Sequence, residues 1–302
     1  MILLYYATGG IYLVGPESPV QDPKLAVLAS LGFLAGTWFV YDTFWNTGFA
    51  EKYPKAATAV SLAGVIALCW ALCHVFTGRG AYLHLGAVFA TCMVLNVWFR
   101  ILPRQQKMFD EAKAGKAPDY SAGPKAKQRS THNSYMTLPV LFAMLSNHFS
   151  LAHGHERAWI LLVLLCLLGG VTRHMMLQWN YGKTGAVYLI PLGVLVGVML
   201  LLSAPRSAGS AGVPAPKYSL VQAIVGQRCL PCHSAHPSDP TFPAPPNGVT
   251  FESGESLRKF ADKIKQRVFV EKTMPLVNRT QITDDERAQL AAWVDGGAET
   301  HD

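Results

Sequence analysis

The sequence predicts an all-α protein in two parts, a polytopic transmembrane helical bundle of about six spans followed by a small soluble helical domain. Three observations predict it. Half of the 302 residues are hydrophobic and only 15% are charged, where a soluble domain carries roughly 25%. Long apolar runs recur, each close to the ~20 residues that cross a bilayer as a helix. Beyond residue 203 those runs stop, and a Pro/Gly/Ser-rich stretch leads into ordinary soluble composition. The parts are therefore residues 1–203, a linker at 204–216 and a domain at 217–302.

In chain order, Met1 to Val14 is apolar but too short to span a bilayer, and it lacks the basic start of a signal peptide. It reads as an interfacial piece or the tail of a longer helix. Gly15 to Pro23 is turn chemistry, with prolines at 16, 19 and 23. The six runs follow at Leu25–Trp45, Ala57–Phe76, Tyr82–Leu102, Tyr135–Ala152, Ala158–Leu177 and Gly185–Ser203. Trp38, Trp45, Trp98, Trp159 and Trp179 sit toward the ends of these runs, where interface anchors collect. Cys69, Cys73, Cys92 and Cys166 lie inside apolar runs, where a free thiol packs as a small hydrophobe. Gly169-Gly170 reads as a close helix contact.

Charge sets the orientation. The net charge of +7 belongs to the first part: residues 1–216 carry 16 Lys/Arg against 8 Asp/Glu, and residues 217–302 carry 10 against 11. Seven of these cations, Arg104, Lys107, Lys113, Lys116, Lys125, Lys127 and Arg129, fall in the loop 103–133. The positive-inside bias makes that loop cytoplasmic, and the excess reflects topology and contact with membrane lipid, with no nucleic-acid motif in the sequence. Counting forward from the loop, the fourth span exits, the fifth returns and the sixth exits. The C-terminal domain then lies outside, in the periplasm of a bacterial inner membrane.

That domain opens with Cys229-Leu230-Pro231-Cys232-His233. C-x-x-C-H is the attachment pattern of a c-type haem, in which two thiols add to the vinyl groups and the histidine ligates the iron. Half a zinc site and a redox pair are the alternatives, but zinc needs a second ligand pair and no cysteine follows Cys232. Covalent haem is attached outside the cytoplasm, in agreement with the charge argument. Val221 to His233 is predicted as a helix, as is Ser256 to Lys265 with Leu257, Phe260, Ala261 and Ile264 at helical spacing. Thr283-Asp284-Asp285-Glu286 is a capping box that opens a last helix carrying Leu290, Ala291, Trp293 and Val294. The whole resembles a class I-like monohaem cytochrome c domain. Met274, 41 residues after His233 and stiffened by Pro275, is the expected sixth iron ligand. It is weighed against a methionine that only fills core space.

Histidines inside spans invite a functional reading. His74, His84 and His148 are expected near the outer ends of spans two, three and four, while His132 and His174 fall at inner ends with Arg100 and Arg173 at similar depth. Each could simply make one interhelical hydrogen bond. Together they could act as acid/base groups on a substrate, with His84, His132 and His148 as the catalytic candidates. His74, His84, His148 and His174 are also candidates to ligate a second, b-type haem in the membrane part.

One segment is more distinctive: Thr131-His132-Asn133-Ser134-Tyr135-Met136-Thr137-Leu138-Pro139-Val140-Leu141-Phe142, continuing to Ser146-Asn147-His148. With Gly80-Ala81-Tyr82-Leu83-His84, Asn96 to Gln106 and Arg129 to Asn133, it resembles the bacterial membrane-bound urate oxidase (urate hydroxylase) family, a multi-span domain fused to a C-terminal cytochrome c. The resemblance runs from about Ile11 to the C-terminus. It implies oxidation of urate to 5-hydroxyisourate, with electrons leaving through haem c to a periplasmic cytochrome c or terminal oxidase and with no peroxide formed. Members usually begin with further N-terminal helices, and this chain is expected to start inside their second hydrophobic region. A membrane-anchored electron-transfer cytochrome c without substrate oxidation of its own is the alternative reading.

Overall fold

Why each apolar run becomes a helix is visible at its start. The computed structural model describes residues 2–15, 18–117, 119–146, 150–155, 157–203, 213–270 and 272–302, all as helices, turns and connecting loops with no strand among them. The short α1 (Ile2–Ala7) precedes α2 (Pro23–Phe44), where Pro23 occupies the first turn and the Asp22 carboxylate caps Lys24 N at 2.8 Å. A five-residue α3 (Gly48–Lys52), capped by Thr47, leads to α4 (Pro54–Val75), again with proline in the first turn. Thr77 caps α5 (Gly78–Asn96).

From Gly78 the chain stays helical to Lys113, through a π-helical turn at Val97–Ile101 into α6 (Leu102–Lys113). The turn has a cause in Pro103. Proline lacks an amide donor and its ring collides with the carbonyl four residues earlier, here that of Phe99. Widening the helix over Val97–Ile101 relieves that collision without ending the helix.

After a 3-10 turn at Tyr120–Ala122 come α7 (Gly123–Leu145), α8 (Ser150–His153), α9 (Ala158–Asn180) and α10 (Leu189–Ser203). Among the described residues, five helices are long and apolar enough to cross a membrane: Pro23–Phe44, Pro54–Val75, Gly78–Lys113, Ala158–Asn180 and Ala186–Ser203. The fourth of the six predicted runs is the one not among them. Its first part lies in α7, whose opening turns carry Lys125, Lys127 and Arg129, and its later part reaches residues 147–149, outside the described residues.

Two compact units make up the chain, Met1–Ala204 and Pro205–Asp302. In the first, α5 is the central helix and packs against α2, α4 and α7, while α7 and α4 in turn pack on α9. Its buried core includes Leu13, Cys69, Leu72, Tyr82, Leu85, Val88, Cys92 and Leu162. The cysteines therefore serve as core packing. Small residues let helices approach: a Cβ on Gly86 would lie 2.7 Å from the Cβ of Ala143, and one on Gly169 would lie 2.8 Å from Pro139 Cδ. Gly170 meets nothing within 4 Å, so only the first glycine of the pair is a contact. The N-terminal apolar stretch is not a span. After α1 it turns, buries Tyr5 and Leu13 in the core, and receives Thr77 N on Leu13 O at 2.9 Å.

The second unit contains α11 (Tyr218–Arg228), α12 (Leu230–His233), α13 (Gly254–Lys259), α14 (Ala261–Ile264) and α15 (Asp284–Asp295). The two predicted helices are each broken, at Cys229 and at Phe260. Pro231 provides the reason at the first break, because it has no N–H to give to the Gln227 carbonyl and its ring collides with that carbonyl. The capping box is formed, with Glu286 N on Thr283 Oγ1 at 3.2 Å and Thr283 N on Glu286 Oε2 at 2.7 Å. α11 packs on α15 around Val221, Ile224, Val225, Leu257, Ile264, Leu290 and Trp293. Of the expected linker, residues 204–212 lie outside the described residues.

Candidate functional site

In an apolar bundle the polar side chains that turn inward mark where chemistry can happen. Among the described residues, three networks join such side chains from different helices. The first surrounds His84 on α5, which is fully buried. Its Nδ1–H donates to Gly80 O at 2.7 Å, so its Nε2 accepts the Ser30 hydroxyl at 2.5 Å, and Ser30 in turn meets Tyr6 OH at 2.5 Å. Phe76 stacks on the ring at 4.6 Å. As placed, neither ring nitrogen is open to an iron, so His84 does not fit the role of haem b ligand. The arrangement is a brace between α2 and α5.

The second network lies at the other end of α2, where α5 and α7 converge. Asp42 of α2, 5% exposed, is an acid inside a span, and guanidiniums surround it. Arg129 of α7 donates through Nη2 to Asp42 Oδ1 at 3.0 Å and to its backbone carbonyl at 3.1 Å. Arg100 donates through Nε to Oδ1 at 2.9 Å and pairs with Oδ2 through Nη2. Arg104 adds a third guanidinium by donating to Arg100 O at 2.6 Å. Arg129 also lies over the Tyr41 ring at 4.8 Å.

Tyr41 links these charges to His132. Asn96 Nδ2 donates to the Tyr41 hydroxyl at 3.1 Å and to Asn133 Oδ1 at 2.9 Å, and Asn133 Nδ2 donates to Met93 O at 3.0 Å. Tyr41 OH, which accepts from Asn96, also hydrogen-bonds His132 Nδ1 at 2.8 Å. Trp45 covers the His132 ring at 4.3 Å. Buried polar atoms without partners collect here as well. Trp38 Nε1, Asn96 Oδ1 and Arg129 Nη1 have none among the described residues, and each such atom costs about 1–3 kcal/mol.

The third network continues along α7. Tyr135 OH meets His174 Nδ1 at 2.6 Å, and His174 Nε2 meets Tyr188 OH at 3.1 Å and Gln178 Nε2 at 3.3 Å. Arg173, beside it on α9, has its buried Nε without a partner among the described residues.

The expected histidines are thus distributed over separate networks. His84, His132 and His174 each hold different partners. His74 is exposed, donating from Nδ1 to Trp70 O at 2.7 Å with its ring against Trp70. His148 lies outside the described residues. Sequence reasoning missed Asp42, Asn96, Arg129, Tyr41 and Ser30 as site residues. Asp42 had a signal, being the acid within the first apolar run. Ser30 and Tyr41 had none.

In the second unit, Cys229 and Cys232 sit one turn apart, with His233 N on Cys229 O at 2.9 Å. His233 Nδ1–H donates to Val249 O at 2.9 Å, the orientation that turns Nε2 toward a metal. Met274 and Cys229 pack against the same apolar core, together with Leu230, Phe251 and Phe260. Buried Arg287 holds the Met274 segment, donating from Nη1 to Met274 O at 2.6 Å and Val268 O at 2.5 Å. Burial pushes the Cys229 thiol up to about 12, with Cys232 and Glu286 adding to it. Burial raises the Cys232 thiol too, reinforced by Asp239. These residues fit a covalent haem: paired thiols on one turn, an oriented imidazole and a thioether on the same apolar core. Among the described residues no three His, Cys, Asp or Glu side chains gather to hold an ion, so the zinc alternative has no ligand set here.

No curated protein and no solved structure matches the chain. The model of the urate oxidase N-terminal family matches residues 1–204, the whole of the first unit. Since that match takes in well over half of the chain, with Asp42, His84, Asn96, Arg129 and His132 all inside it, the protein belongs to the urate oxidase N-terminal family.

Proposed function

We propose that this urate-related membrane oxidoreductase oxidises urate to 5-hydroxyisourate and delivers the electrons to a haem c in its own C-terminal unit. The observation that carries the reading is the presence, on one chain, of the family match over residues 1–204 and of a Cys229-Leu230-Pro231-Cys232-His233 turn whose imidazole is oriented by Val249. Urate and one water together become 5-hydroxyisourate, the water oxygen being kept, and two electrons and two protons are released. The membrane unit must therefore bind an oxopurine, admit water and carry protons away.

His132 is the candidate for proton work, because Tyr41 and Asn96 join it in one hydrogen-bonded chain beside Asp42 and Arg129. His84 orients helices through Ser30 and Gly80, and His148 keeps the catalytic expectation drawn from its segment. A haem c held by Cys229, Cys232, His233 and Met274 would supply one-electron acceptance. The chain then acts in a bacterial inner membrane with loop 103–133 cytoplasmic and the haem domain periplasmic, passing electrons to a periplasmic cytochrome c or terminal oxidase.

Anaerobic addition of urate to the oxidised, purified chain tests this. Appearance of the reduced haem c spectrum with loss of urate and without peroxide is the expected result. Reduction by quinol and not by urate would overturn it and leave a membrane-anchored electron carrier.

A further inference from the structure

The cluster around Asp42 is unbalanced in charge. One carboxylate faces the guanidiniums of Arg100 and Arg129, with Arg104 hydrogen-bonded to the same turn. Buried charges ordinarily come paired, and Arg129 is only 2% exposed. Its Nη2 serves Asp42 while its Nη1 has no partner among the described residues. Asp42 pairs with both guanidiniums, which leaves one positive charge in excess, and an anionic acceptor would answer both that charge and Arg129 Nη1.

The other orphaned atoms say which kind. Four buried side-chain polar atoms lack partners among the described residues; of these, Asn96 and Arg129 both contact Tyr41, and Trp38 lies one turn before Tyr41 on α2. Trp38 Nε1 is a donor three and four residues before Tyr41 and Asp42, hence on the same face of α2. Arg129 Nη1 is a donor. Asn96 Oδ1 is an acceptor, on a residue that is 0% exposed. Phosphate dianion, sulfate or a carboxylate would answer the donors and the charge but offers no N–H to Asn96. A ligand that satisfies all three carries negative charge, acceptor atoms and N–H groups together. The aromatic rings of Tyr41 and Trp45 beside it suit a flat molecule.

We propose that Arg129, Asn96 and Trp38 form the binding site for a planar oxopurine anion. Resting on the reading above, the ligand is the urate monoanion, whose carbonyl oxygens and ring N–H groups supply both kinds of partner. The site lies where α2 ends, where α5 gives way to α6, and where α7 begins, which places it at the end of the bundle that bears the basic loop 103–133. Urate is thereby held beside His132, one hydrogen bond from Tyr41.

The experiment is equilibrium binding of radiolabelled urate to the full chain, kept anaerobic and reduced with dithionite so that no turnover occurs. Arg129→Lys preserves the cation opposite Asp42 and removes the planar fork, and it should weaken binding by about tenfold or more, as loss of a charge-assisted hydrogen bond does. Trp38→Phe removes a single N–H and keeps an aromatic ring, and it should weaken binding roughly threefold to tenfold. It decides the matter if Arg129→Lys does not fold. Inorganic phosphate should fail to displace urate. Wild-type affinity in both variants, or displacement by phosphate, would overturn the assignment. If urate reduces the haem of the wild type while both variants bind it unchanged, the site is elsewhere and the proposed function stands. If the wild type binds no urate at all, the proposed function falls with it.

Discussion

Removing the carboxylate of Asp42 tests whether the membrane unit depends on this ion cluster. Asp42→Asn keeps the shape and loses the charge. The side chains of Arg129, Asp42 and Arg100 are 3%, 8% and 32% exposed, so the cost is shared unequally. Arg129 is only 3% exposed and has little freedom to turn outward, and breaking a buried pair from one side costs about 3–5 kcal/mol. Arg100 is about one-third exposed and can turn outward, so its own pairing contributes about 1 kcal/mol or less. Asp42→Asn should therefore destabilise by about 3–5 kcal/mol and Arg100→Gln by about 1 kcal/mol. Denaturant titration of the purified chain in mixed micelles, followed by far-UV circular dichroism, measures both. Equal effects of the two substitutions would refute the reasoning, because they would show that Arg129 is not confined as the geometry requires.

Three other outcomes are expected. Gly169→Ala places a Cβ 2.8 Å from Pro139 Cδ, a ring that cannot swing aside, and should cost about 1–3 kcal/mol in the same titration. With the proposed haem c attached, Met274→Ala should lower its potential and remove the spectral signature of thioether ligation, and Arg287→Met should lower the potential as well by freeing the Met274 carbonyl; redox titration reads both. Burial opposes ionisation of Glu286, but Thr283 N and the Arg228 guanidinium outweigh it and hold the carboxyl below its usual range. Its contribution is full above the ordinary glutamate value of about 4.3 and is lost as pH falls through the folded-state value. The unfolding midpoint of the second unit should drop on acidification over that window, and Glu286→Gln should flatten the drop.

The parts of the fold that the sequence made legible are those governed by local rules. Run length identified α2, α4, α5, α9 and α10, and the Thr283/Glu286 box identified the start of α15 to the residue. The illegible parts depend on a second segment far along the chain. Pro103 announces a disturbed helix, but that the helix widens at Val97–Ile101 and carries on depends on its packing against α7. Ser30 looks like any small residue in an apolar run until Tyr6 and His84 arrive from elsewhere to bond it. His84 and His132 looked alike in sequence as intramembrane histidines, and only their partners separate them. One has both nitrogens committed to helix contacts, whereas the other belongs to a chain that ends in orphaned polar atoms.

That difference has a spatial form within the membrane unit. Ser30 and Tyr41 are eleven residues apart on α2, which at 1.5 Å per residue separates their networks by about 16 Å along the helix. His84 and Asn96 on α5 are spaced by nearly the same amount. Two polar levels are thus held apart by a layer of Leu85, Val88, Phe89 and Cys92. Every polar atom described at the His84 level is satisfied, so that level holds the helices in register. The Asp42 level carries excess positive charge and unpaired donors and an acceptor, which a structural role would have selected against. The oxopurine site proposed above would draw on these atoms, at the end of the bundle with Arg129 and His132.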